Sequence, residues 1–188
     1  MTIVLAGFCQ GAAAAGPFGL SMGASKSELD LEPNDGTSTS YIFQSVPVPS
    51  RHFEIYAGTV GDQAGLCNIR ALTGPIDTNR FGHGLRSRFD QLQEALTERY
   101  GEPRLFDLVI PGSLWDEPRD FMMGMRREDR KLVAFWSNDD APLGNDLKGI
   151  MLEGKALSTT AGLVILQYDF LNADECRAES DDMKNRGL

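Results

Sequence analysis

The amino-acid sequence predicts an α+β fold: a mainly antiparallel sheet meander with one long amphipathic helix packed on it, and a C-terminal helix. Short apolar runs of strand-like composition dominate the chain, and turn residues separate most of them. Only one long internal stretch has helical periodicity. Because parallel strands need crossover connections, usually helices, the strands of such a chain are expected to pair antiparallel. The length of 188 residues fits one domain, which we place at residues 16–188.

An uncharged segment opens the chain and predicts a signal peptide over residues 1–15. Residues 2–15 combine an apolar run with small residues that satisfy the A-x-A rule for cleavage. The segment has no Lys or Arg before its apolar run, which leaves open whether the true start codon lies upstream of Met1. It is too short for a transmembrane segment, which needs about 20 apolar residues. We therefore expect a periplasmic or secreted protein.

The cysteine prediction depends on export. Removal of the leader takes away Cys9 and leaves Cys67 and Cys176 in a compartment that oxidises thiols. We predict that these two residues form a disulfide bond, which would stabilise the domain by roughly 4–5 kcal/mol in the chain-entropy model. If the leader prediction is wrong, two buried free thiols are the better interpretation.

A short helix is expected at the start of the mature chain. Ser25 and Glu28 have the spacing of a capping box, in which each residue satisfies a free amide at a helix start. We predict a helix over residues 26–31, ended by Pro33. Three strand-like segments separated by the turn sequences PVPS and GDQAG follow and predict a meander; they occupy residues 40–46, 52–60 and 65–73.

A change of period marks the long helix, which we predict over residues 85–100. Apolar residues recur there at three- and four-residue spacing, with charged and amide residues between them; they are Leu85, Phe89, Leu92, Leu96 and Tyr100. Gly101 can supply a left-handed C-cap and Pro103 prevents continuation, so the end of the helix is marked twice.

Four further strands and a terminal helix complete the predicted domain. The strands are expected at residues 106–110, 131–137, 149–158 and 162–170. The sequence TTA between the last two suits a hairpin. Residues 111–129 are predicted to be irregular, and the polar tail at residues 172–188 has a helical composition.

The charge balance argues against nucleic acid as a partner. The chain carries 18 basic and 27 acidic residues, a net charge of −9, and its basic residues form no long cluster. A solvated acidic surface that keeps the protein soluble explains this charge. Two isolated histidines and scattered carboxylates have no metal-ligand spacing, so we predict no metal site and no cofactor.

One motif suggests a hydrolase. The sequence GLSMG is G-x-S-x-G, the pattern that exposes a nucleophilic serine between a strand and a helix. Ser21 is therefore a catalytic candidate, with His52 or His83 as its base. The context disagrees, because a core strand should precede the serine and Gly16 and Pro17 stand there instead.

A second motif resembles a phosphate-binding loop. Residues 149–155 fit G-x-x-x-x-G-K, but Ala156 stands where Ser or Thr should hold magnesium. The apolar residues between the glycines favour a strand over a loop with free amides. We predict a strand here, with Gly154 at a bulge or a close contact, and no nucleotide site.

The loop around Trp115 is the candidate binding surface. Trp115 stands beside Asp116 and Glu117, followed by Arg119, in a proline-flanked segment. Rigid aromatic rings flanked by charges are common in binding surfaces. The alternative interpretation is that Trp115, Phe121 and Met122 cap one end of the core.

Two resemblances support an exported protein. The stretches FGLSMGASKSEL, GLCNIRALTGPIDTNRFG, LRSRFDQLQEALTERYGEP and SLWDEPRDFMMGM resemble small uncharacterised exported bacterial proteins that open with FGLxxGxS. The opening is also similar to the GMTxxEV start of the BamE-like lipoproteins, which support outer-membrane assembly, on the residues Gly23, Ser25, Glu28 and Leu29. This second resemblance implies a small sheet-and-helix architecture and an envelope location.

The leading functional expectation is an exported, non-enzymatic binding or envelope-accessory protein with an unknown ligand or protein partner. It depends on the leader, the cysteine pair and the lack of a catalytic constellation. One alternative is an exported serine hydrolase that uses Ser21. Another is a secreted inhibitor or immunity-type protein that presents the Trp115 loop to its partner.

Overall fold

A computed structural model describes residues 16–32 and 38–185 of the chain. The predicted signal peptide and Pro33 lie outside the described residues. The α+β prediction is confirmed, because eight strands form one antiparallel sheet and helices pack on it. The strands are β1 (Ser40–Phe43), β2 (Ile55–Gly61), β3 (Gly65–Leu72), β4 (Ile76–Asp77), β5 (Arg104–Val109), β6 (Arg130–Ser137), β7 (Leu147–Ala156) and β8 (Ala161–Phe170). The helices are α1 (His83–Tyr100), α2 (Phe121–Arg126) and α3 (Ala173–Asn185).

The sheet consists of two meanders joined through its last strand. Its order is β1-β2-β3-β8-β7-β6-β5, and the short strand β4 also pairs with β8. The predicted hairpin between β7 and β8 is present and brings Ala156 opposite Gly162. Strands β1 and β5 therefore form the two edges of the sheet.

One face of the sheet carries the core. Alternate residues of β8 are buried there, namely Val164, Leu166, Tyr168 and Phe170. Helix α1 packs on this face and buries four of its five predicted apolar positions; they are Leu85, Phe89, Leu92 and Leu96. Each such side chain stabilises the fold by about 1.5–3 kcal/mol.

Two contacts fix the position of α1 on the sheet. Gly162 of β8 has no side chain, and Leu85 methyl carbons lie 3.0 and 3.2 Å from the place where a β-carbon would stand. At the other end, Gly101 has φ +82° and ends the helix as predicted. The Trp136 indole N–H donates a 2.7 Å hydrogen bond to the Gly101 carbonyl, which ties β6 to the end of α1.

Local structure differs from prediction in several places, and the short strand β4 was not predicted. The capping box of Ser25 and Glu28 is present, but only a 3₁₀ turn, Lys26–Glu28, follows it, because Leu31 pairs with Phe43 as an isolated β-bridge. The segment predicted to be irregular contains α2. Gly154 pairs regularly, and the irregularity of β7 lies between Leu147 and Gly149 instead.

The opposite face of the sheet is only partly covered. Helix α3 packs against β2 and β3, while α1 and α2 contact strands from the core side. No helix in the described parts of the chain is long and apolar enough to cross a membrane. Polar residues of β3 and β8 that lie on this second face form the floor of the site described next.

Candidate functional site: the groove beneath helix α3

Helix α3 is held on the second face by a disulfide bond. Cys67 of β3 is bonded to Cys176 of α3, with 6.2 Å between their α-carbons and 109 residues between them in sequence. The disulfide prediction is confirmed. Both residues are almost fully buried, so the bond lies inside the packing of the helix on the sheet.

A carboxylate provides a second attachment. The Glu179 side chain accepts hydrogen bonds from the backbone N–H groups of the β2–β3 turn, at 2.5 Å from Asp62, 3.2 Å from Gln63 and 2.7 Å from Ala64. Hydrogen bonds to a charged acceptor are stronger than those between neutral groups. The disulfide and this turn together give α3 a fixed place above the strands.

The helix and the strands enclose a groove of about 630 Å³, which we call the α3 groove. Strands β3, β6, β7 and β8 form its floor, α3 forms one wall, and residues at the start of β5 and after β6 form the other. Its lining side chains are mostly polar or charged. They include Asn68, Arg70, Arg104, Phe135, Lys148, Gln167, Asp169, Arg177 and Lys184.

A chain of hydrogen bonds crosses the floor of the groove. Arg70 lies opposite Gln167 in the register of β3 and β8, and Asn68 lies opposite Asp169. The Arg70 Nε atom donates to Gln167 Oε1 at 2.7 Å. The Gln167 amide nitrogen donates in turn to both Asp169 oxygens, at 2.8 and 3.0 Å. Gln167 therefore orients a cation on one side and a carboxyl group on the other.

The carboxyl group of this chain is in an unusual environment. Burial raises the pKa of Asp169 above its ordinary value. The hydrogen bond from Gln167 opposes this shift, and so do the positive charges of Arg70, Lys148 and Arg177, without overcoming it. A carboxyl group whose pKa is displaced by burial within a groove is a candidate for a functional role.

Arg70 differs from the other cations that line the groove. Four of them form ion pairs: Arg104 with Asp140, Lys148 and Arg177 with Asp174, and Lys184 with Asp181. Arg70 forms no ion pair with any described residue, and its hydrogen bond to Gln167 uses Nε alone. Its two terminal nitrogens are thus left without a partner among the described residues, beside a groove.

The residues considered for catalysis are not brought together. Ser21 is exposed in a turn. His52 Nδ1 lies 3.2 Å from an Arg88 nitrogen, and burial together with the charges of Arg51 and Arg88 lowers its pKa. His83 is the first residue of α1 and contacts the Asn79 amide at 3.0 Å. In the described chain no hydrogen bond joins Ser21 to either histidine.

The Trp115 loop lies outside the groove. Trp115 is half-buried over α2, where its carbonyl would lie 3.0 Å from a β-carbon added at Gly124. Asp116, Glu117 and Arg119 are exposed, and a 2.6 Å ion pair joins Glu117 to Arg119. Phe121, which follows this loop, is buried in the core. The four predicted binding residues thus share one loop but do not line the α3 groove.

Arg70, Gln167 and Asp169 were not predicted from the sequence. Their signal is the period of two in N-I-R-A-L and L-Q-Y-D-F, which places Asn68 and Arg70, and likewise Gln167 and Asp169, on one face of each strand. This period of two shows which side chains share a face of each strand. It cannot show that β3 and β8 are neighbours in the sheet, because 97 residues separate Arg70 from Gln167.

Comparison with known proteins found no matching family model, no matching curated protein and no matching solved structure. Within residues 16–32 and 38–185, no group of three or more His, Cys, Asp or Glu side chains is placed to hold a metal ion. The groove is therefore interpreted from the geometry of its own side chains.

Proposed function

We propose that this protein is a periplasmic or secreted, non-enzymatic binding protein whose α3 groove holds a small polar ligand with an anionic group. The observation that carries the proposal is Arg70, a groove cation positioned through Nε by Gln167 and lacking an ion-pair partner among the described residues. A guanidinium presents parallel donors that match a carboxylate or a phosphate, so Arg70 suits an anionic group better than a point charge would.

The remaining lining supports a small ligand. A volume of about 630 Å³ lies within the range of roughly 300–1,000 Å³ that small-molecule sites occupy. Asn68 and Asp169 add hydrogen-bonding groups on the floor, and Phe135 adds an apolar surface. A ligand with an anionic end, a hydrogen-bonding centre and a short apolar part fits this combination.

The exported location is supported by the disulfide bond. Such bonds persist in oxidising compartments and are rare in the cytosol. The bond also holds one wall of the groove, so a reducing environment would weaken the site itself. An envelope-accessory role with a protein partner, and the likeness to the BamE-like lipoproteins, stay predictions beside this proposal.

The proposal is tested by calorimetric titration with succinate, glutamate and inorganic phosphate as separate probes. We expect at least one probe to bind the wild type, and Arg70→Gln to weaken that binding by about tenfold to a hundredfold, because one charge-assisted contact contributes about 1.5–3 kcal/mol. Arg51→Gln is the matched control, since Arg51 is exposed and lies outside the groove; it should bind as the wild type does.

Two results would contradict the proposal. One is a set of flat titrations for all three probes with correctly folded, oxidised protein. The other is equal binding by the wild type and Arg70→Gln, which would place any anion site elsewhere. The hydrolase that uses Ser21 and the inhibitor that presents Trp115 stay predictions, and neither draws on the contacts of the α3 groove.

A further inference from the structure

Strand β5 is an open edge of the sheet. Among the described residues it pairs only with β6, and the Ile110 N–H continues that pairing with a 2.7 Å hydrogen bond to the Asp129 carbonyl. Backbone groups of successive residues in a strand point to opposite sides, so those of Leu105, Asp107 and Val109 point away from β6. No described residue forms a backbone hydrogen bond with these outward groups.

The other edge of the sheet is closed by the chain itself. The Gln44 N–H donates to the Asp30 carbonyl and the Glu32 N–H donates to the Ile42 carbonyl, each at 2.8 Å. Leu31 forms a β-bridge with Phe43 between these two bonds. Residues 30–32 therefore cover β1, while β5 has no corresponding cover among the described residues.

The open edge is also apolar. Eleven large hydrophobic residues are exposed in the described chain, and five of them belong to β5 and the loop after it; they are Leu105, Phe106, Leu108, Ile110 and Leu114. Leu108 is 57% exposed and Leu114 is 86% exposed. Proteins usually protect a free edge with a lysine, a proline or a bulge, and β5 contains none of these.

The one acidic residue of β5 is neutralised within the chain. Asp107 accepts hydrogen bonds from Arg86 and from Arg130, both at 2.9 Å. These two guanidinium groups lie 4.2 and 4.6 Å from the centre of the Phe121 ring, one from α1 and one from β6. Asp107 is thus held toward the core side and does not act as a free charge that would repel a neighbouring strand.

Opposite charges stand at the two ends of β5. Glu98 lies in the last turn of α1 and Glu102 lies just before the strand, whereas Arg126 and Arg127 stand at the turn that leads into β6 beside the end of β5. All four side chains are exposed, and none forms an ion pair with a described residue. Arg104 at the start is ion-paired with Asp140, and Glu128 stands beside Arg127, so the start of the strand keeps an excess of acidic side chains and its end an excess of basic ones.

We propose that β5 pairs antiparallel with β5 of a second copy of this chain and joins the two sheets into one. Antiparallel pairing about a two-fold axis places the start of each strand beside the end of the other. Glu98 and Glu102 of one copy would then face Arg126 and Arg127 of the second copy. The outward backbone groups become hydrogen-bonded, and the apolar side chains of both strands are shielded from water.

The test measures the mass of the oxidised full chain by sedimentation equilibrium over a range of concentrations. The wild type is expected to reach twice the mass of one chain. Leu108→Lys places a charge on the pairing strand and should weaken association by about tenfold or more, since a lysine on an edge strand disfavours edge-to-edge pairing. Ile42→Lys is the matched control, because Ile42 is 47% exposed on the covered edge strand; it should dimerise as the wild type does.

A charge exchange tests the direction of pairing. The double variant Arg126→Glu with Arg127→Glu should dissociate more readily, and adding Glu98→Arg with Glu102→Arg should restore the affinity of the wild type. A wild type that stays monomeric at every concentration overturns the proposal. A dimer that tolerates Leu108→Lys overturns it as well, because the contact would use another surface. Failure of the charge exchange to restore affinity contradicts the antiparallel arrangement.

Discussion

The position of the Asp169 carboxyl group in the α3 groove lowers the stability of the folded protein. It lies on the floor, accepts two hydrogen bonds from Gln167, and still has a pKa raised by burial. The partial loss of hydration therefore outweighs the nearby positive charges. A carboxylate placed so that it destabilises the free protein is typical of binding sites, where a ligand later supplies the missing contacts.

Asp169→Asn is expected to stabilise the protein at neutral pH. Since the folded-state pKa lies above the unfolded value, the folded state binds more protons between these two pKa values, and stability falls as the pH rises through that interval. Asparagine carries no charge and can still accept from Gln167. The free energy of unfolding in urea should exceed the wild-type value at pH 7, and the difference should shrink toward pH 4.

Asp139→Asn controls for the simple removal of a negative charge, because Asp139 is an exposed carboxylate that lines the same groove. This variant should not reproduce the gain. Equal stability of Asp169→Asn and the wild type at pH 7, or a difference that grows on acidification, would contradict the assigned cause of the pKa shift.

The roles of single residues could be predicted from the sequence where they depend on neighbours only a few positions away. Ser25 and Glu28 are three positions apart and form the expected capping interaction, with the Ser25 N–H donating to Glu28 at 2.8 Å. Gly101 ends α1 as expected and has a positive φ of +82°, although its ψ of −172° lies outside the left-handed helical region that was predicted for it. Arg70 and Asp169 could not be recognised this way, because their importance depends on a helix and a second strand that lie far away in sequence.

At the scale of elements, α3 is the part whose position most affects the groove. It forms one wall, and the disulfide and Glu179 attach it at successive turns to β3 and to the β2–β3 turn. Neither attachment involves burial of a broad apolar helix face, since Cys176 is the one buried residue of α3. The placement of α3 therefore depends on these two attachments more than on hydrophobic packing.

Removing the disulfide should destabilise the whole domain. Cys67→Ala and Cys176→Ala are each expected to lower the free energy of unfolding by up to about 4–5 kcal/mol, because the bond closes a long loop in the unfolded chain. The double variant should be little worse than either single variant, since one bond can be lost only once. Urea unfolding of the three variants and the wild type measures these differences.

Additive losses in the two single variants would contradict this account, because they would show two independent thiols, each with its own packing. Mass analysis without a reducing agent provides the control, since the wild type should contain no free thiol at Cys67 or Cys176.

The elements predicted correctly are those with a strong period. Helix α1 repeats its apolar residues over about four turns, and the eight-residue and longer strands β3, β6, β7 and β8 are continuous apolar or alternating runs. Helix α2 was missed because six residues, F-M-M-G-M-R, are too few to show a helical period and include a glycine. The helix expected at residues 26–31 is shortened because pairing with β1 competes for its second half.

At the scale of the whole molecule, the order of the strands in the sheet could not be predicted from the sequence. The final strand β8 inserts between β3 and β7, so the centre of the sheet is completed by the last strand of the chain. Leu163 and Ile165 alternate with the buried residues of β8, which makes the strand apolar on both sides. Such a run predicts a central strand but cannot show which face a helix covers. The open face and the α3 groove follow from that topology.

If the protein is exported, its leader should be removed in the cell. When the gene is expressed in a bacterium with a start codon and the full leader, we expect the protein in the periplasm or the medium, with an amino terminus near Gly16 and an oxidised Cys67–Cys176 pair. Signal peptidase requires small residues one and three positions before the cut, so the triple variant Ala13→Asp, Ala14→Asp and Ala15→Asp, which also removes the neighbouring cut after Ala14, should leave the leader attached. Amino-terminal sequencing and mass analysis of each cell fraction measure both outcomes. Wild-type protein that accumulates in the cytosol with Met1 or Thr2 at its terminus would contradict export, and the compartment would then no longer account for the disulfide that holds α3 over the groove.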